Sequence, residues 1–212
     1  MTRVVVAGAG GHSRSVIEAL RSTPEVLLVG CTDPDIERHG NTLDGVPILG
    51  DDDLLARLLR DGQADTAAIG LGGAGDNGPR RRLFGLVRDL GFALPPVVSP
   101  AAFVASTATL GAGTVVLPGA VVGSGAIIGD DVIINCAAIV EHDCRIGDHA
   151  HVASGAVLGG TVVVDAGAHV GLGASVRPAT AIGAGALVAV GAVVVDDVAP
   201  GTTVMGVPAR TH

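Results

Sequence analysis

The sequence predicts an α/β domain followed by an all-β one: a small sheet-and-helix unit over residues 1–98 and a three-sided parallel β-helix over residues 99–212. Two observations carry this prediction. An aliphatic residue recurs at every sixth position through the second half, and the first half alternates short apolar runs with amphipathic stretches.

The repeat starts at Val104 and runs through Leu110, Val116, Val122 and Ile128 to Val194, sixteen positions without a slip of frame. With about four aliphatics in ten residues, such a run arises by chance roughly once in a million. Four residues after each aliphatic stands a small or β-branched residue, as at Ala120, Ala126, Val132, Ala138, Cys144 and Ala150. Two inward positions per six residues define one short strand and one turn. Three hexads close an 18-residue coil, so sixteen make a little over five coils. Glycine directly follows the aliphatic at 111, 123, 129, 147, 159, 171 and 183, which places the tight bend there.

The first half predicts a strand at Arg3–Ala7, a helix from about His12 to Arg21, strands at Val26–Cys31 and Thr66–Ile69, and helices near Asp52–Arg60 and Pro79–Leu90. That β-α-β-α-β-α order favours a Rossmann-like parallel sheet with helices on both faces. The turn Gly8-Ala9-Gly10-Gly11-His12-Ser13 joins the first strand to the first helix, so its N–H groups are placed to meet an anion. Ser13 stands where a dinucleotide fingerprint has its last glycine. Asp33 follows the second strand, where such folds contact a ribose or base.

Composition narrows the function. The 33 glycines, three phenylalanines and absence of lysine imply a core of Val, Ile, Leu and Ala. The net charge of −8 has no basic patch beyond Arg80-Arg81-Arg82, which argues against nucleic-acid binding. No apolar run reaches the ~18 residues of a membrane span, and no charged leader opens the sequence. Cys31, Cys136 and Cys144 form no metal-binding or disulfide spacing. These features fit a cytoplasmic protein.

The hexad pattern resembles the hexapeptide-repeat family of left-handed β-helix proteins over residues 104–199. The resemblance supplies the left hand, a homotrimer, and acyl transfer from CoA thioesters at sites between neighbouring prisms. The tail Gly206-Val207-Pro208-Ala209-Arg210 is similar to the segment that ends many such enzymes, and this implies Arg210 near the coenzyme phosphates. Taken with the Gly-Ala-Gly-Gly-His-Ser turn, Asp33 and Ile69-Gly70, the whole chain resembles the sialic acid O-acetyltransferase-like family. That family includes N-acetyltransferases for amino groups on UDP- or GDP-linked deoxysugars. Its first domain cradles the nucleotide, which implicates Gly10, Gly11, His12 and Asp33. Pro34 after Asp33 and the glycine-rich loop Gly70–Asn77 depart from the UDP-sugar members.

Acyl transfer to an amine needs a base, a donor for the developing oxyanion, and mutual positioning. Glu141-His142-Asp143 sets two acids around one imidazole at a corner of an apolar prism. It matches the family's Glu-His-acid segment, which implies His142 as general base and Asp143 as the carboxylate raising its basicity. The resemblance further implies that His151 contacts acetyl-CoA, that the Gly160 N–H faces the oxyanion, and that Leu172 and Val190 line the pantetheine. His149 and His169 read as exposed edge residues, and Asp130-Asp131 and Asp196-Asp197 as solvated corners. The sequence thus predicts an acetyl-CoA-dependent N-acetyltransferase for a nucleotide-linked amino sugar, without a metal. O-acetylation of a sugar such as a sialic acid, or acylation of another small metabolite, is the alternative. A trimeric zinc carbonic anhydrase is disfavoured, because histidines spaced 7, 2 and 18 residues apart from 142 to 169 lack that class's close pair.

Overall fold

The computed structural model describes residues 1–73 and 75–212. Five strands form the first sheet: β1 (Thr2–Ala7), β2 (Val26–Thr32), β3 (Thr42–Leu43), β4 (Val46–Gly50) and β5 (Thr66–Ile69), in the order β3-β4-β2-β1-β5. The pairs β1–β2, β1–β5 and β2–β4 are parallel, whereas β3 runs antiparallel to β4. This edge hairpin is absent from the sequence prediction. Its turn, Asp44-Gly45, has positive φ at both residues, the geometry Asp-Gly favours in two-residue hairpins.

Helix α1 (Gly11–Arg21) covers one face of the sheet; α2 (Leu55–Arg60) and α3 (Gly78–Leu90) cover the other. Phe84 and Phe92 are buried beside α2 and α3, so this core is not purely aliphatic. The α1 layer is shared with the second domain, since Val16, Ile17 and Leu20 belong to one cluster with Val97, Val115 and Leu117.

From Val97 the chain winds into a three-sided prism in which each two-residue strand pairs in parallel with the strand 18 residues on. The first face begins at Val97–Val98 and carries Val115–Val116, Ile133–Ile134, His151–Val152, His169–Val170 and Leu187–Val188. The second face runs from Phe103–Val104 to Val193–Val194, and the third from Thr109–Leu110 to Ala181–Ile182. Both inward ladders are buried along the prism, the aliphatic one from Val116 and the small-residue one from Thr114.

The bend lies elsewhere than predicted. Positive φ falls three residues after each aliphatic, at all fourteen positions from Gly113 to Gly191, with Asp131, Ala137, Asp143, His149, Thr161 and Ala179 among them. The glycines directly after the aliphatics serve close approach instead. A Cβ on Gly147 would lie 2.6 Å from the Ala166 nitrogen on the next coil. No helix among the described residues is long and apolar enough to cross a membrane.

The two domains are pinned together by a buried ion pair that the sequence reading misses. Arg80, 2% exposed, sends its Nε to the Asp131 carboxylate at 2.9 Å, and its terminal nitrogens to the carbonyls of Ile69, Leu71 and Gly113. His149 Nδ1 meets the other Asp131 oxygen at 2.9 Å. Asp131 is therefore no solvated corner: it is fully buried, and His149 is mostly covered against Phe84. His169 is likewise buried rather than an exposed edge. Burial pushes the Asp131 carboxyl up and the Arg80 guanidinium down from their ordinary values, and the ion pair opposes both shifts.

Candidate active site

The glycine turn is built by hydrogen bonds that leave its outer side free. Ser13 Oγ donates to the carbonyls of Gly8 (2.8 Å) and Gly70 (2.9 Å), joining the ends of β1 and β5. A Cβ on Gly70 would fall 2.3 Å from that oxygen, so a serine after the turn requires a glycine at the end of β5. Gly10 caps α1 without a side-chain bond, and the first turn of the helix carries no acid. A Cβ on Gly10 or Gly11 would meet nothing within 4 Å, because both border an open cleft of about 410 Å³. His12, Ser15, the Gly70–Gly73 strand exit, Asn135 and His151 complete its walls.

Asp33 does not line this cleft. Its carboxylate pairs with Arg38 and accepts the Asp35 N–H at 2.9 Å, and Arg38 also donates to the Ala9 carbonyl at 2.8 Å. The charge beside the glycine turn is thus the Arg38 guanidinium, which local sequence pattern did not single out.

A second hollow of about 500 Å³ adjoins the first along the lower part of the first face. Leu172, Leu187, Val188 and Val190 make it apolar, and His151 and Asn135 belong to both hollows. Leu172 is 53% and Val190 71% exposed, an unusual state for neighbouring large aliphatics and one a ligand would relieve. The rings of His151 and His169 meet edge to face, with centroids 4.7 Å apart. Burial, the neighbouring charge of Arg80 and contact between the histidines push both His12 and His151 down to about 3. Both are therefore neutral at physiological pH, and burial also lowers His169. Among the described residues no group of three or more His, Cys, Asp and Glu is placed to hold a metal ion.

His142 and Asp143 lie at the corner between the second and third faces, opposite the first face. His142 Nδ1 is 2.9 Å from the Asp143 carboxylate, so Nδ1 carries the proton and Nε2 keeps its lone pair. Asp143 reaches this position from a residue at φ +58°, in the left-handed region that most of its counterparts fill with glycine. The ring lies over Gly160, one coil on, where a Cβ would sit 2.5 Å from Nε2. The Gly160 N–H has no acceptor among the described residues. Arg210 is on the exposed tail, 3.8 Å from Asp196.

Apart from Asp33 and Arg210, the predicted residues fall into two groups within one chain. Gly10, Gly11, His12, His151, Leu172 and Val190 share the connected hollows on the first face, while His142, Asp143 and Gly160 share the opposite corner.

Comparison with known proteins gives concordant results. Residues 3–86 match the PglD N-terminal domain model, and residues 125–160 match the bacterial transferase hexapeptide (six repeats) model. PerB from Caulobacter crescentus, solved with CoA and GDP-perosamine, is 37% identical with a TM-score of 0.90, covering 100% of this chain and 98% of that one. The acetyltransferase domain of PglB from Neisseria gonorrhoeae is 34% identical over the whole of both chains, with a TM-score of 0.87. WeeI from Acinetobacter baumannii is 29% identical over the whole of both, with a TM-score of 0.86. No curated protein sequence matches.

Proposed function

Because the chain belongs to the sialic acid O-acetyltransferase-like, PglD/NeuD-type hexapeptide sugar acetyltransferases, we propose that it acetylates the amino group of a nucleotide-linked amino sugar, with His142 as general base. Membership makes the prism a left-handed parallel β-helix and the protein an acetyl-CoA-dependent sugar acetyltransferase. The amine acceptor follows the GDP-perosamine N-acetyltransferase, the relative crystallised with CoA and its sugar nucleotide.

The observation that carries the reading is the His142–Asp143 pair over Gly160. Asp143 holds the imidazole with Nε2 unprotonated and stabilises the imidazolium formed when Nε2 takes the amine proton. Acetyl-CoA supplies the thioester carbonyl. The unpaired Gly160 N–H, one rung of about 4.8 Å along the same corner, offers a donor for the oxygen as charge develops there. Direct transfer requires no acyl-enzyme, and Cys144 in the prism core is not arranged as a nucleophile: it is buried, its thiol pushed up by burial.

The open cleft at Gly10 and Gly11 suits the sugar nucleotide, whose diphosphate would meet the bare amino end of α1. The apolar groove at Leu172 and Val190 suits the pantetheine. Since His142 lies opposite both hollows in one chain, a second copy must bring it to them. The outward residues Phe103, Val121, Ile139, Val157 and Val193 of the second face give that copy an apolar surface. A homotrimer closes such contacts by rotation.

Release of free CoA with paired amino and hydroxy sugar nucleotides tests the reaction. Turnover confined to the amino member is the expected result. Turnover confined to the hydroxy member would replace N- by O-acetylation.

A further inference from the structure

Asn135, which the reaction scheme above does not use, borders both hollows and touches His151. Its Oδ1 accepts the backbone N–H of Cys136 at 2.8 Å. A backbone N–H can only donate, so the amide oxygen is committed to that bond and the amide NH₂ is the end facing His151. That NH₂ lies 3.1 Å from His151 Nε2. An amide NH₂ offers hydrogens and accepts none, so Nε2 must be the lone-pair nitrogen and the ring proton must sit on Nδ1.

No donor among the described residues competes for Nδ1. It is buried and has no hydrogen-bond partner among the described residues, and the nearby polar group that favours a proton on this ring is the Gly73 carbonyl. His169 backs the ring from the next rung, edge to face, and fixes its plane. The charged and titratable groups that bear on the ring are Arg80, His169 and, across the cleft, His12; no carboxylate lines either hollow among the described residues. A buried donor without an acceptor is costly in a resting protein, and a bound oxygen would remove that cost.

We propose that Asn135 is a positioning residue that locks His151 as its Nδ1–H tautomer, a neutral donor in the wall shared by the two hollows that holds a substrate carbonyl oxygen. The identity of that oxygen as the thioester carbonyl rests on the acetyl-transfer reading; the tautomer does not. The lock separates two histidine roles. His142 keeps Nε2 free to take a proton, whereas His151 has its Nε2 blocked and gives only a hydrogen bond.

Two-bond ¹⁵N–¹H correlation spectra of the full-length protein labelled at histidine distinguish the tautomers, with His151 assigned by its loss in His151→Ala. The wild type should show His151 as Nδ1–H and untitrated across the neutral range. In Asn135→Asp a carboxylate replaces the donor, which should move the proton to Nε2 or create an imidazolium. That change should lower kcat by roughly 10–100-fold at saturating acetyl-CoA. An Nε2–H signal for His151 in the wild type would overturn the proposal, and this readout does not depend on the folding of Asn135→Asp. So would an Asn135→Asp protein that loses activity while His151 keeps its Nδ1–H signal. Wild-type protein that turns over no sugar would instead remove the acetyl-transfer reading, leaving the tautomer to be decided by the spectra.

Discussion

At the smallest scale the proposed chemistry rests on two neighbouring side chains, His142 and Asp143. His142→Ala should lower kcat by roughly 10²–10⁴-fold with little change in acetyl-CoA affinity, the usual worth of a positioned base, as steady-state kinetics with both substrates varied would show. Gly160→Ala should reproduce part of that loss by displacing the imidazole instead of removing it, because its Cβ would lie 2.5 Å from Nε2. Equal loss in the acetyl-CoA KM would point to the groove instead of the base. The buried histidines make a separate prediction about pH. His12 and His151 fall from the ordinary 6.5 to about 3 on folding, so the stability they contribute is full above 6.5 and is lost as pH falls towards 3. Asp131, whose carboxyl burial pushes up, acts in the opposite sense just above its ordinary value. The urea midpoint should therefore fall on acidification from pH 7 to pH 4, and less steeply in His151→Gln. The His142–Asp143 pair was legible because its members are adjacent in sequence. Arg38, Arg80 and Asn135 were not, since Arg80 and Asp131 stand 51 residues apart and no local pattern encodes their meeting.

Among the elements, the hexad was legible for a physical reason: each two-residue strand sends one side chain inward, so the period of the core is the period of the sequence. The handedness of its turns was less so. Glycine is abundant both one and three residues after the aliphatic, and only the backbone shows that the second position carries the left-handed φ. The two kinds of glycine should respond differently. Gly155→Ala places a methyl in open space at φ +68° and should cost about 1–2 kcal/mol, the ordinary left-handed penalty, which Ala137 and Ala179 already bear. Gly147→Ala has an ordinary φ but drives a methyl into the backbone of the next coil, so it should cost more. Urea unfolding of the two variants would order them, and the reverse order would mean that φ rather than coil spacing dominates. The Thr42–Gly50 hairpin was missed although its Asp44-Gly45 turn was in plain view, because a strand of two residues has no period to read.

Taken whole, the molecule presents the two halves of the proposed site on different surfaces. Arg80 ties the exit of β5 to the prism through Asp131 and Gly113, and Asn77 ties the glycine loop to the carbonyls of His149 and Gly167. His142 and the first face both belong to the prism, whose coils pair rung to rung, so no motion between the domains can bring His142 round to the groove. In the proposed trimer each site therefore takes His142 from one copy and His151 with the apolar groove from the next. Complementation between inactive variants follows. His142→Ala and His151→Ala should each be nearly inactive as pure trimers. When equal amounts are unfolded together and reassembled, random assortment gives about a quarter of sites an intact His142 from one neighbour and an intact His151 from the other. Activity should accordingly rise from near zero to roughly a quarter of the wild type, and simple mixing of folded trimers should restore nothing. Should both histidines serve the same site from a single chain, reassembly would leave the mixture as inactive as its parents, because every chain would still lack one of the two.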